Sequence, residues 1–164
     1  MKRLSAILLL ATSLAANAQT TMREAFIQMP DSIVPYLSHS NCLDLIDYYD
    51  AKMKAEVTNE LGGSSELLAL TADSLSLRLN GQHRIDALIV DTQEAVDSVE
   101  RVIVVGHTYT LTTGEYERTY HLFSLSWRPL TQSPAMTQKQ RERLLQFTGS
   151  TLLMRDDEVF KKLR

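Results

Sequence analysis

Cysteine is almost absent from this chain, and its scarcity limits how the fold can be stabilised. Cys42 is the single cysteine among 164 residues, so an intramolecular disulfide and the sites that need paired cysteines are excluded. Because Cys42 falls on the apolar face of a predicted helix, we expect it to be a small buried hydrophobic residue. Stability must therefore come from an apolar core.

The sequence also lacks the motifs of several well-marked enzyme classes and any excess of positive charge. It contains no nucleophile elbow, no phosphate-binding loop and no His-Glu-x-x-His motif, which removes the hydrolases, nucleotide enzymes and zinc proteases that depend on them. Its 17 Lys and Arg face 20 Asp and Glu, a formal net charge of −3. No basic cluster is denser than the one at residues 139–143, so binding to nucleic acid or to an anionic membrane surface is disfavoured.

The only long apolar run lies at the start of the chain and has the form of a secretion signal. Lys2 and Arg3 precede an apolar segment at residues 4–14, and Ala16, Asn17 and Ala18 form a small-x-small cleavage site. The run is shorter than the ~20 residues of a membrane-spanning helix, so no transmembrane segment is expected. We predict a signal peptide over residues 1–18, cleavage near Ala18, and a soluble periplasmic or secreted product formed by a single α+β domain over residues 19–164.

Two helices are predicted in the first third of the mature chain. Thr21 and Glu24 form a capping box for a short helix that Pro30 ends. Asn41 is the predicted N-cap of a second helix. Five residues recur at the spacing of its apolar face: Cys42, Leu45, Ile46, Tyr49 and Met53.

Alternation of apolar and polar residues then predicts strands. Residues 62–65 read as a loop, and the period falls to two from Leu67 onward. Leu77 and Ile85 can share a buried face only if the loop between them has an odd length. We therefore predict a three-residue loop there, with Gly81 in a left-handed conformation.

The remaining elements complete the predicted fold. Residues 99–111 are the most β-branched segment and form a central strand with apolar side chains on both faces, and a turn at Thr113 and Gly114 leads to a returning strand. Thr137 and Gln140 form a capping box for a C-terminal helix. The fold class is α+β: an antiparallel meander sheet of four to five strands, with N-terminal helices and a C-terminal helix packed on one face.

Two histidines on the predicted hairpin could share a proton or a metal ion. A three-residue turn at residues 113–115 would set His107 opposite His121 with Cβ atoms ~5 Å apart, whereas a two-residue turn would oppose His107 to Tyr120. Two imidazoles make half of a zinc site, and Glu117 lies ~13 Å along the strand from His121. We expect hydrogen-bonded strand histidines and no cofactor.

An acidic cluster on the second predicted helix is a weaker candidate for a cation site. Asp44, Asp47 and Asp50 lie within two helical turns, but a calcium loop needs a tight turn with glycine and a terminal Glu, which a continuous helix does not provide. We interpret these carboxylates as a solvated helix face. A metal-binding or calcium-responsive protein stays an open but weaker hypothesis.

The strongest candidate for recognition is the tip of the predicted hairpin, where aromatic and charged residues are mixed as they are in many interfaces. An edge strand there could also accept an extended peptide. The candidate binding residues are Tyr109, Tyr116, Arg118, Tyr120, His107 and His121.

Three phrases of the sequence point to a family. They are the segment from Met29 to Leu37, the segment from Leu43 to Asp47, and the run from Ser126 to Leu130. With them the chain resembles an uncharacterised family, a domain of unknown function, of exported proteins from Bacteroidetes-type Gram-negative bacteria, over about residues 26–130. The resemblance implies a secreted or periplasmic setting and no reaction.

No catalytic constellation emerges from the sequence, so its function is unknown at this stage. The leading hypothesis is a non-catalytic exported interaction or binding module of the cell envelope, whose partner is an envelope protein or peptide. The alternative is a small periplasmic hydrolase or lyase in which His107 or His121 is the general base, with Glu117 or Asp86 nearby. The sequence does not indicate an oligomeric state.

Overall fold

Two short helices precede a six-stranded antiparallel sheet in the computed structural model, which describes residues 20–96 and 99–130 together with positions 139 and 142. The helices are α1 (Met22–Ile27) and α2 (His39–Asp50). The strands are β1 (Glu56–Thr58), β2 (Ser64–Leu70), β3 (Ser74–Arg78), β4 (His83–Val96), β5 (Val99–Thr110) and β6 (Tyr116–Ser124). The predicted signal peptide lies outside the described residues, as does the predicted C-terminal helix except for positions 139 and 142, which are helical.

The sheet is the predicted meander, with more strands than predicted. Its strand order is β1-β2-β3-β4-β5-β6, and each strand pairs antiparallel with the next. The prediction of four to five strands is wrong because β1 and the start of β2 lie in segments without a clear apolar alternation. Ser64 and Ser65, predicted as loop, begin β2, and the Ser65 hydroxyl is buried where it donates to the carbonyl oxygen of Leu79 at 2.7 Å.

Both helices begin with a capping box, and one of the two was predicted. The Thr21 hydroxyl accepts from the backbone N–H of Glu24, whose carboxylate accepts from the N–H of Thr21, as predicted. In α2 the same exchange joins Ser38 and Asn41, so the N-cap is Ser38 and the prediction of Asn41 is wrong. Since α2 ends at Asp50, Met53 lies beyond its apolar face and is 62% exposed.

The main core lies between the two helices and one face of the sheet, which we call the helix-side face. Phe26 of α1 and Leu45 of α2 are fully buried against strand residues such as Leu77 and Ile85. Trp127, after β6, buries its ring in the same core and donates its Nε1–H to the carbonyl oxygen of Ala25 in α1 at 2.8 Å. The N-terminal helices thus pack on one face, as predicted.

The opposite face of the sheet carries a second apolar cluster. Its buried members lie on the two longest strands, β4 and β5, and are Leu88, Val90, Val102 and Val104. Because Ile103 and Val105 belong to the main core, β5 is apolar on both faces here, which confirms the prediction for this strand.

The loop between β3 and β4 has the predicted odd length but a different conformation. Leu77 pairs with Ile85, and the N–H of Leu79 donates to the carbonyl of His83 at 2.9 Å, which leaves a three-residue loop. The prediction of a left-handed Gly81 is wrong, since that residue has no positive φ. Instead the Asn80 side-chain oxygen accepts from the backbone N–H groups of Gln82 and His83 at 2.8 and 2.9 Å and holds the turn.

Candidate functional site

Three histidine rings and one tyrosine ring form a row across β4, β5 and β6 on the helix-side face. His83 Nε2 lies 3.0 Å from His107 Nδ1, a hydrogen bond between the two imidazoles. The Tyr109 ring stacks on His83 with centroids 4.3 Å apart, and the His121 ring meets His107 edge-on at 5.8 Å. We call these four residues the histidine row.

Burial favours the neutral forms of His83 and His107 in this row. His83 is 8% exposed, and burial lowers its pKa. The pKa of His107 is lowered to about 4, first by burial and then by the charges of His83 and His121. A hydrogen bond between two neutral imidazoles needs one donor and one acceptor, and these pKa directions favour that state at neutral pH.

The hairpin of β5 and β6 brings His107 and His121 onto one face but not directly opposite each other. His107 pairs with Thr119, so both predicted pairings, with His121 and with Tyr120, are wrong. The physical reason is the position of Gly114 in the loop. The hydrogen bond from Leu111 N–H to the Glu115 carbonyl, at 2.8 Å, closes a three-residue loop at 112–114. Gly114 is the last residue of this loop and takes a positive φ of 82°. The loop thus begins one residue earlier than predicted and places His121 diagonally to His107.

His83 is a member of the row that sequence reasoning missed. The signal was present, because the odd loop that joins Leu77 to Ile85 also puts His83 on the face of Ile85. What the sequence did not supply was the register of β4 against β5, which pairs His83 with Tyr109.

The carboxylates predicted as partners for a general base do not join the histidines. Asp86 pairs with Gly106 on the opposite face of the sheet, where the Arg84 guanidinium donates to it at 2.7 Å. Glu117 pairs with Tyr109, four residues along β6 from His121. The prediction that Asp86 assists a histidine base is therefore wrong.

Metal-binding groups of three or more side chains are not found in the described residues. No cluster of His, Cys, Asp or Glu in this part of the chain has a geometry that could hold a metal ion. In the acidic patch of α2, Asp44 and Asp47 are exposed, and Asp50 accepts two hydrogen bonds from Arg23 at 2.7 and 2.9 Å. These bonds lower the pKa of Asp50, and the arrangement is that of a solvated, ion-paired helix face.

The hairpin tip exposes apolar side chains as well as charges. Tyr116 is 57% exposed, Leu111 41% and Tyr109 37%. Tyr120 differs from the other candidates, because its half-buried ring lies over Gly106, where a Cβ atom would come within 2.9 Å of the ring, and its buried hydroxyl has no hydrogen-bond partner. Tyr116 is therefore the most exposed aromatic residue of the predicted set.

β6 forms one edge of the described sheet. Successive residues of this strand direct their backbone groups alternately toward β5 and away from it. The carbonyl of Leu122 accepts from Leu130 N–H, and Ser124 N–H donates to the carbonyl of Arg128, both at 2.9 Å and both away from β5. Even-numbered residues of β6 therefore direct their backbone groups outward. Within the described part of the chain, Tyr116 and Tyr120 have no backbone partner on that side. We call residues 116–121 the β6 edge.

On the β6 edge the side chains alternate between the two faces of the sheet. Glu117, Thr119 and His121 lie on the helix-side face, in line with Phe123 of the core. Tyr116, Arg118 and Tyr120 lie on the opposite face. All six predicted binding residues thus belong to β6 or pair with it, since Tyr109 pairs with Glu117 and His107 with Thr119.

Comparison with known proteins supports the fold and the family. A solved structure of a domain of an uncharacterized protein from Porphyromonas gingivalis W83, a Bacteroidetes bacterium, matches with a TM-score of 0.53 and 17% sequence identity over 67% of this chain. This chain spans about half, 53%, of that protein chain. No curated protein matches, and no described helix is long and apolar enough to cross a bilayer. The family model described as "Protein of unknown function (DUF3256)" matches residues 13–162, and the chain therefore belongs to the DUF3256 family.

Proposed function

We propose that this protein is an exported, non-catalytic binding module of the cell envelope that takes an extended segment of a partner along the β6 edge. The observation that carries the proposal is the outward backbone of β6, whose groups at Tyr116 and Tyr120 have no backbone partner among the described residues. A partner strand that adds to such an edge gains main-chain hydrogen bonds along its whole length.

The side chains beside this edge supply selectivity. A partner strand would place alternate residues against the exposed Tyr116 ring on one face and against Glu117, Thr119 and His121 on the other. Mixed aromatic and charged surroundings are typical of recognition surfaces. The partner segment is therefore one that offers an apolar or aromatic side chain opposite Tyr116 and polar side chains on the other face.

The cellular setting of the proposal comes from the sequence. The basic, apolar and small-x-small parts of residues 1–18 have the order of a secretion signal. An exported binding module meets envelope proteins and peptides, so the partner belongs to that class.

The geometry supports binding better than catalysis by a histidine base. A general base is most effective when its pKa lies near the operating pH, whereas that of His107 is lowered to about 4. Asp86, one of the two carboxylates that could have oriented such a base, lies on the other face of the sheet.

Site-specific photocrosslinking in cells tests the proposal. A photoreactive phenylalanine analogue at Tyr116 should crosslink to an envelope partner, and the same analogue at Leu61, which is 69% exposed on another part of the surface, should not. Tyr120→Pro removes an outward N–H of the edge strand, whereas the matched Tyr120→Ala removes the same side chain and keeps that donor. Loss of the crosslink with proline but not with alanine supports strand addition, and retention with proline would overturn it.

A further inference from the structure

We infer that the C-terminal segment, residues 131–162, covers the second apolar cluster, and that a helix over residues 137–148 packs on this cluster through Leu144. This inference goes beyond the proposed function, because it concerns the opposite face of the sheet and not the β6 edge. It is carried by the burial of that face in a single copy of the chain and by the exposure of two helical residues of the segment, Lys139 and Glu142.

The second apolar cluster is too well buried to be an open face. Its four buried members are between 0% and 4% exposed in one copy of the chain. Neighbouring strands flank such side chains but leave the space above the sheet open. The described residues that pack in or against the cluster lie on β4, β5 and β6 or at Leu130, so no described helix contributes to it. The cover is therefore a part of this chain outside the described residues.

The two ends of the described chain leave from different faces of the sheet. Thr20 lies on the helix-side face, because its carbonyl accepts from Arg101 Nη1 at 3.2 Å and Arg101 shares the face of Ile103. Leu130 instead packs against the second apolar cluster, where its N–H donates to the Leu122 carbonyl. The segment that follows Leu130 therefore starts at the face that needs a cover.

The sequence of this segment predicts an amphipathic helix whose outer side is identified by exposure. Lys139 and Glu142 are helical and exposed. In a continuous helix, Leu144 lies about 140° around the axis from Lys139 and about 160° from Glu142, which places it on the side away from solvent. Gln146 lies within about 40° of both exposed residues and shares their side. Leu144 is therefore the residue that we expect at the centre of the contact.

The segment is long enough to reach and cross the cluster. Leu88, Val104 and Leu122 lie side by side on β4, β5 and β6, with ~10 Å between the outer two strands. Residues 131–136 can span up to ~20 Å, and a helix over residues 137–148 is ~18 Å long. The family model extends to residue 162, so this segment belongs to the same family domain as the sheet.

This cover places the sheet between two helical layers. The run from Val102 to Val105 is buried on both faces of β5, as is usual for a strand that is covered on both sides. α1 and α2 cover one side, and the C-terminal helix covers the other. That helix then lies opposite α1 and α2, and not beside them as the sequence prediction has it.

Photocrosslinking within the chain of residues 19–164 tests which surface the helix contacts. A diazirine amino acid in place of Leu144 should crosslink to peptides that contain Leu88, Val104 or Leu122, and mass spectrometry of the monomer identifies them. The same amino acid in place of Gln146 should give at least about tenfold less of these crosslinks, because it lies on the exposed side. Crosslinks from position 144 to α1, to α2 or to a second copy, or no crosslink to the sheet, would overturn the inference.

Thiol labelling of the same chain measures whether the helix protects the cluster. Val104→Cys should react slowly, and Leu144→Asp should accelerate its labelling at least about tenfold, since a carboxylate in an apolar contact opposes docking. The matched change Gln146→Asp should leave the rate within about twofold. Leu77→Cys, in the main core, should stay protected with either change, and Cys42, which is 3% exposed, contributes little background.

These measurements distinguish loss of the cover from loss of the fold. Fast labelling of Val104→Cys without a change in the helix, or equally slow labelling with Leu144→Asp, overturns the C-terminal segment as the cover. If Leu144→Asp also exposes Leu77→Cys, the whole chain has unfolded. The milder Leu144→Ala then takes its place and is judged by the same comparison of the two thiols.

Discussion

The helix-side face of the sheet changes character between its two ends. Under α1 and α2 it presents side chains such as Leu75 and Leu77, which are fully buried. At the other end, the same face carries the histidine row, in which Tyr109 is 37% exposed. One face of one sheet therefore includes a region built for stability and a region with polar rings at the surface.

The side chains of the two regions contribute differently to the folded protein. Aliphatic side chains under the helices remove apolar area from water, which is the main source of folding free energy. The rings at the hairpin end keep the strands in register through stacking and one hydrogen bond, while Tyr116 and its neighbours remain accessible. Four predictions separate the two regions, and the first has the largest expected effect.

Leu77→Ala should lower the free energy of unfolding by about 2–5 kcal/mol, because it removes a fully buried side chain and leaves a cavity under the helices. Urea denaturation measures the loss. Leu61→Ala, at a leucine that is 69% exposed, should change it by less than ~0.5 kcal/mol. Equal urea midpoints for the two variants would contradict the stabilising role of the side chains under the helices.

Gly106→Ala should destabilise the protein by about 1–3 kcal/mol, because the new Cβ meets the Tyr120 ring at 2.9 Å. If the clash is the cause, combining it with Tyr120→Ala should cost less than the sum of the two single changes. If the changes in unfolding free energy are additive in this double-mutant cycle, the cost of Gly106→Ala comes from the backbone at residue 106 and not from a clash with the Tyr120 ring.

Acidification should destabilise the hairpin end through His107. Its folded pKa of about 4 is below its ordinary value of about 6.5, so the unfolded chain binds the proton more readily and stability is lost as the pH falls through that interval. His107→Gln should therefore reduce the drop in melting temperature between pH 7 and pH 4.5. Leu61→Ala, at a leucine that is 69% exposed and carries no titratable group, serves as the control and should leave that drop unchanged.

Tyr116→Ala should have the smallest effect on stability, less than ~0.5 kcal/mol, because the ring is 57% exposed. The same variant should lose affinity for a partner strand, since the ring is part of the proposed contact. A stability loss comparable to that of Leu77→Ala would place Tyr116 in the core and remove it from the binding surface.

The sequence was sufficient where local chemistry decides the structure. Thr21 and Glu24 are three residues apart and cap the helix between themselves, and the shared face of Leu77 and Ile85 requires an odd loop whatever surrounds it. The meander order followed from the short connections between strands. The family resemblance was supported by the match to DUF3256.

The errors arose where several local solutions compete. Ser38 and Asn41 can both cap a helix, and only the tertiary position of α2 selects the first. Asn80 supports its turn with a side chain, so Gly81 needs no left-handed conformation. In the second hairpin, the position of Gly114 within the loop fixed the register.

The candidate site was predicted in composition but not in arrangement. The aromatic and charged residues of the hairpin were identified from the sequence, whereas the contact of His83 with His107 depends on the pairing of β4 with β5, which no local pattern encodes. The direction of each backbone group along β6 likewise follows from the register of the whole sheet.

The indole of Trp127 gives this protein a spectroscopic reporter without any label. It is the only tryptophan in the sequence, it is 6% exposed, and its N–H is bonded to the carbonyl of Ala25. Its emission should shift to longer wavelength when α1 separates from the end of β6, because the ring then enters water. Stopped-flow fluorescence of the unmodified chain can thus follow the docking of the first helix separately from the formation of the hairpin, which contains no tryptophan.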